Sequence, residues 1–146
     1  MSLYNSSVII NAPKELVFRT VSDISSFSEA VPDIVEVEFL TKQQSGAGTR
    51  FRETREMRGK KATTELEVTE FVENEHVRLV SEAGGTVWDS VFRVMDKNGN
   101  TELTLQMEAR PKNIIARMMN VFIKGMISKA LDKDMAAVKN YCETQK

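Results

Sequence analysis

The chain has 146 residues, of which 41% are hydrophobic and 28% charged, a balance typical of a globular protein that can bury a core. A formal net charge of −1 lacks the basic field that nucleic-acid-binding proteins need, and a lone cysteine, Cys142, excludes an internal disulfide framework. The sequence predicts no signal peptide and no transmembrane segment, so we expect a cytoplasmic protein.

The first third of the chain mixes one strand with two short helices. SSVIINAP predicts a strand that stops at Pro13, and PKELVFRTVSD then predicts an amphipathic helix because Leu16, Val17, Phe18 and Val21 have helical spacing. SSFSEAVP predicts a second short helix that ends at Pro32.

The middle of the chain changes to an alternating pattern with a period of two. Six further strands are predicted, joined mostly by tight turns, in IVEVEFLTK, RFRETREMRG, ATTELEVTEF, HVRLVSEA, TVWDSVFRVM and TELTLQMEAR. Consecutive hairpins indicate an antiparallel sheet.

After Pro111 the pattern returns to a helical period. Asn113 is a suitable N-cap, and one long helix is predicted from there to about Thr144. A curved antiparallel sheet of about seven strands around this helix is an α+β architecture. The space between them must be filled by side chains or a ligand. We expect a single domain over residues 1–146.

This order of elements, with several local motifs, resembles the START-related, birch-pollen-allergen-like (SRPBCC) superfamily. The closest resemblance is to its polyketide cyclase/dehydrase and lipid-transport branch. The residues that carry it are INAPKELVFRTVSDISSFSEAVPDI, SGAGTRFR, GNTELTLQME and the C-terminal helix. The resemblance implies a helix-grip fold with a deep pocket between the sheet and the long helix.

The sequence offers little recognisable catalytic chemistry. His76 is the only histidine and lies beside a predicted turn, whereas Cys142 near the end of the helix is best explained as a small apolar residue. No spacing of His, Cys or carboxylates suggests a metal site, and no cofactor is predicted.

RFRETREMRG carries charges on both faces of its predicted strand. Folding the hairpin about Gly59 and Lys60 places Glu53 and Arg55 on the same face as Leu66, which must be the inner face. The same alternation places a mixture of apolar and polar side chains there, which suits a pocket better than a dry core.

Three interpretations of Glu53 and Arg55 remain open at this point. They form a structural ion pair, or the end of their strand overhangs into water, or they orient the polar group of a ligand. In the last case Arg55 would contact a carboxylate, phenolate or carbonyl oxygen.

The first half of the long helix carries an apolar stripe rich in methionine, an adaptable side chain that suits a pocket wall. The candidate ligand-binding residues are therefore Phe51, Glu53, Arg55, Met57, Thr64, Leu66, Leu79, Ser81, Trp88, Ser90, Phe92, Met107, Met118, Met119, Phe122 and Met126. The polar face of the helix is basic, which leaves two interpretations: contact with an anionic membrane or, by default, a solvated face.

The expected function is binding or transport of a small hydrophobic or amphipathic ligand, such as a lipid, a polyketide-like aromatic or an isoprenoid. One alternative is a cyclase or dehydratase that uses Glu53 as general acid/base and Arg55 to stabilise an enolate. A second alternative is a protein-interaction module like the chaperone activators of the superfamily. The sequence predicts no oligomeric state.

Overall fold

A computed structural model describes residues 2–145, and Met1 and Lys146 lie outside the described part. Within residues 2–145 there are seven strands and three helices. They are β1 (Ser2–Ile10), α1 (Lys14–Ser22), α2 (Ile24–Ala30), β2 (Ile34–Phe39), β3 (Arg50–Met57), β4 (Lys60–Val72), β5 (His76–Ala83), β6 (Thr86–Lys97), β7 (Asn100–Pro111) and α3 (Ile114–Gln145).

The two short helices follow from their local sequence. Pro13, which has the extended backbone of an N-cap, precedes α1, whose apolar residues Val17, Phe18 and Val21 are buried. Asp23 separates the helices and caps α2, because its carboxylate accepts hydrogen bonds from the backbone N–H and the hydroxyl of Ser26.

The strands form one antiparallel sheet in the order β1-β7-β6-β5-β4-β3-β2. Each strand from β3 to β7 therefore lies beside the strand that precedes it in the sequence. Only β1 pairs out of order, with β7. With the long α3 and two short helices after β1, this confirms the predicted α+β helix-grip fold.

The register of the β3–β4 hairpin differs from the prediction. The turn residues are Arg58 and Gly59, both with positive φ, and not Gly59 and Lys60. Glu53 therefore lies opposite Thr64, and Arg55 opposite Ala62. The shift is two residues, so every side chain keeps its predicted face.

The main core lies between the sheet, α1 and the second half of α3. Met135, Val138 and Cys142 of α3 are buried there against residues of α1 and the sheet such as Val17 and Leu103. Of the helices in residues 2–145, none has both the length and the apolarity needed to cross a membrane.

Candidate functional site

A cavity of about 400 Å³ lies between the concave face of the sheet, α2 and the middle of α3. Its walls are mainly apolar, with inward-facing residues of β3 to β7 on one side. Phe27 of α2 closes part of it and makes an edge-to-face contact with Phe92, with ring centroids 5.7 Å apart. Ile127, Ala130 and Leu131 of α3 complete the opposite wall.

Twelve of the sixteen candidate residues line this cavity. They are Phe51, Glu53, Arg55, Met57, Thr64, Leu66, Leu79, Ser81, Trp88, Ser90, Phe92 and Met107. They come together because alternate residues of a strand face the same side of the sheet, and neighbouring strands keep these residues in register. Their role in ligand binding stays a prediction.

The four candidates on α3 lie elsewhere, so placing them on the pocket wall was wrong. Met118, Met119, Phe122 and Met126 are not among the residues that line the cavity, and they are between 55% and 82% exposed.

Close packing explains why the opposite side of α3 faces the sheet. Ala116 and Asn120 are the buried residues of this half, and Ala116 lies against Gly85, which leaves room for the helix because it has no side chain. The amide of Asn120 donates to the hydroxyl of Thr86 at 3.0 Å. Asn113 is the N-cap, as predicted, and accepts from the backbone N–H of Ala116 at 2.8 Å.

A charged cluster of three side chains forms the polar end of the cavity. Arg55 donates from Nε to Glu53 at 2.6 Å and, from its two terminal nitrogens, to both carboxylate oxygens of Asp134 at 2.9 Å. The side chains of Arg55, Glu53 and Asp134 are only 22%, 13% and 11% exposed. Burial opposes the charge of Arg55, but the hydrogen bonds that Arg55 donates to Asp134 and the negative charge of Glu53 outweigh it and raise the guanidinium pKa.

This geometry excludes one of the three interpretations of Glu53 and Arg55 and supports another. The overhang into water is wrong, because both side chains are largely buried. The ion pair is present, and Asp134 extends it across to α3. The cluster combines one guanidinium with two carboxylates, so it carries one more negative than positive charge.

Three of the hydroxyl groups that line the cavity belong to the sheet. Thr64, Ser81 and Ser90 project from β4, β5 and β6. Among residues 2–145 none of the three hydroxyls has a hydrogen-bond partner. Each can therefore donate to, or accept from, a molecule inside the cavity.

Asp134 is the charged site residue that sequence reasoning missed, and the apolar wall residues Phe27, Ile127, Ala130 and Leu131 were missed as well. Asp134 lies three residues after Leu131 and four before Val138, on the buried face of a helix. A carboxylate at a core position of the helical period indicates a buried charge, which needs a partner of opposite charge. Arg55, which is predicted to face inward, is such a partner.

The residues considered for other chemistry lie outside the cavity lining. His76, at the start of β5, contacts Glu70, and the buried thiol of Cys142 lies 3.4 Å from the hydroxyl of Thr20. Burial raises the pKa of this thiol. No group of three or more His, Cys, Asp or Glu side chains in residues 2–145 is placed to hold a metal ion.

Solved structures with the same fold cover almost the whole chain. A protein from Thermus thermophilus covers 99% of both chains at 16% identity and a TM-score of 0.80. A START superfamily protein from Mycobacterium smegmatis covers 99% of both chains at 15% identity and a TM-score of 0.77. The di-domain ARO/CYC protein BexL of the BE-7585A biosynthetic pathway has 14% identity and a TM-score of 0.78, over 96% of this chain and 46% of BexL.

At these identities the solved structures establish the fold alone. A comparison with curated proteins finds no match. The model of one protein family, described as polyketide cyclase/dehydrase and lipid transport, matches residues 1–143. The chain therefore belongs to the polyketide cyclase/dehydrase and lipid-transport family.

Proposed function

We propose that the protein binds and carries a small, largely apolar molecule whose polar end bears hydrogen-bond donors. The observation that carries this proposal is the cavity of about 400 Å³, apolar along its walls and charged at one end. Its volume falls in the range of about 300–1,000 Å³ that is usual for small-molecule sites.

The apolar part of the ligand is inferred from the walls. Aromatic and aliphatic side chains such as Phe51, Leu66, Leu79 and Phe92 surround most of the cavity. Transfer of an apolar molecule from water to such a surface is favourable by about 25 cal/mol for each Å² buried. Lipids, polyketide-like aromatics and isoprenoids all meet this requirement.

The polar part is inferred from the charged cluster. Asp134 and Glu53 already engage three of the five N–H groups of Arg55, and together they leave the cluster with an excess of negative charge. A ligand carboxylate entering there would meet two buried carboxylates. A hydroxyl, phenol or ammonium group would instead donate to them, and Ser81 and Ser90 offer further partners.

Membership of the family supports ligand binding and is also compatible with cyclase chemistry. ARO/CYC proteins are among those with the same fold. The ionic contacts of Arg55 give no specific support to its use as an enolate-stabilising group. The cavity also argues against a purely protein-binding module with a vestigial pocket.

Native mass spectrometry of the protein purified from cells tests the proposal. We expect a bound small molecule that is released on denaturation and carries at least one hydroxyl, phenol or amine. An empty protein in every preparation, together with no uptake of a lipid extract from the same cells, would count against it.

A matched pair of variants ties that molecule to the cavity. Ser81→Phe places a ring in the cavity, whereas Val80→Phe adds a ring to the neighbouring residue on the outer face of β5. We expect Ser81→Phe alone to lose the bound molecule, with both variants folded by circular dichroism. Equal retention in both would place the molecule outside the cavity.

A further inference from the structure

The first half of α3 presents an apolar surface to solvent. This surface, the outer face of residues 114–126, is formed by side chains that are each more than half exposed: Ile114, Ile115, Met118, Met119, Val121, Phe122 and Met126. Single exposed apolar residues are common, but a contiguous set of this kind marks an interaction site.

The same helix does not continue this surface beyond Met126. In the second half the exposed positions are occupied by Ser128, Lys129, Asp132, Lys133, Ala136, Asn140, Thr144 and Gln145. The apolar outer face is thus confined to about three turns and is not a general property of α3.

The charged residues of this stretch of the chain are all of one sign. Between residues 111 and 131 the charged residues are Lys112, Arg117, Lys124 and Lys129, with no acidic residue, although the whole chain has a net charge of −1. Lys112 pairs with Glu82. Arg117, Lys124 and Lys129 are exposed, and none of them has a carboxylate partner within residues 2–145.

We propose that residues 114–129 of α3 dock the protein on membranes that contain anionic lipids. The apolar face enters the boundary between headgroups and acyl chains, and Arg117, Lys124 and Lys129 contact the lipid phosphates. A helix with a broad apolar face bordered by lysine and arginine is suited to lie in that plane.

The charge distribution favours this occupant over a second copy of the chain. A two-fold dimer would pack the surface against itself and bring the same three unpaired cations together in a desolvated contact. An anionic membrane neutralises them.

The apolar surface of α3 lies next to the cavity in the chain. Met126 ends the apolar face, and the next residue, Ile127, lines the cavity together with Ala130 and Leu131. A molecule leaving the bilayer would therefore meet the cavity wall within one turn of the docked helix. The inference goes beyond the proposed ligand binding and does not depend on it.

Flotation with vesicles tests the proposal on the untagged protein. We expect binding to phosphatidylcholine vesicles that contain phosphatidylglycerol, little binding to phosphatidylcholine alone, and a loss of binding as salt is raised. Equal binding to both vesicle types, or binding to neither, would overturn it.

Variants locate the contact on α3. Lys124→Gln should weaken binding about fivefold, as expected for one cation near an anionic surface. Phe122→Ser should weaken it at least about tenfold, because the ring no longer enters the bilayer. Neither change should alter the melting temperature, because both side chains are exposed.

Matched controls lie at the other end of the sheet. Lys97→Gln and Met95→Ser remove an exposed cation and an exposed apolar side chain near the β6–β7 turn, whereas α3 begins beside the opposite end of these strands. We expect them to bind vesicles as the parent does. Equal losses in test and control variants would overturn the assignment to α3, as would a dimer in sedimentation that Phe122→Ser dissociates.

Discussion

The two halves of α3 belong to one continuous helix but meet different surroundings. Residues 127–145 are fixed by core packing through Met135, Val138 and Cys142 and by the ion pair from Asp134 to Arg55. Residues 114–126 touch the sheet mainly through the small Ala116 and the polar Asn120. Apolar residues are therefore structural in the second half and available for contacts in the first.

The largest effect should come from breaking the ionic attachment of the second half. Arg55→Leu leaves the carboxylates of Glu53 and Asp134 buried without a partner and should reduce the free energy of unfolding by about 3–5 kcal/mol. Urea denaturation measures this change.

The control replaces the whole cluster. Adding Glu53→Leu and Asp134→Leu to Arg55→Leu removes the unpaired charges, and most of the lost stability should return. A loss below about 1 kcal/mol for Arg55→Leu alone would mean that the cluster is hydrated and the second half is held by packing only.

Two methionines provide a direct comparison of the halves. Met135 is 2% exposed and Met119 is 55% exposed. Met135→Ala should reduce the free energy of unfolding by about 2–5 kcal/mol because it opens a cavity in the core, whereas Met119→Ala should change it by less than about 0.5 kcal/mol. Thermal and urea melts of both variants check this, and equal losses would contradict the difference between the halves.

The smallest effect on stability is expected when a thiol is placed on the first half of α3. Its reactivity should nevertheless differ clearly from that of Cys142 in the second half. Cys142 is fully buried, and burial raises its pKa above the ordinary 9.0, so the reactive thiolate is suppressed further at about pH 8. The native protein should react with a thiol reagent only as fast as it opens.

Met118→Cys introduces a second thiol at an exposed position of the first half. It should react at once, leaving the other thiol unmodified, as mass spectrometry can show. Rapid labelling of Cys142 in the native protein would indicate that the second half of α3 is not firmly packed.

The sequence predicts the sheet well because its information is local. Alternation and turn residues define each hairpin, and the bounds His76–Ala83 of β5 agree with the predicted strand. The β3–β4 register was missed because the turn uses the non-glycine residue Arg58 in a left-handed conformation, which no composition rule selects.

The site was predicted only where the period of a strand determines direction. Glu53 and Arg55 were placed inward correctly, since any error of two residues keeps the face. The orientation of α3 depends on which face fits closely against Gly85, and the small Ala116 fits there. A prediction based on apolarity alone turned Phe122 toward the sheet, which was wrong. Asp134 was missed because its partner is distant in sequence.

The pairing of β1 has a consequence for folding. Ser2 lies opposite Ala109 and Ile10 opposite Thr101, and the strand is also tied to α3, because Ser6 donates to Asp132 at 2.6 Å. Since β1 precedes β7 and α3 in the chain, it is made before its partners and must wait for them during synthesis. Such distant contacts slow folding, and the edge of β7 stays open to pairing with another chain until β1 has docked on it.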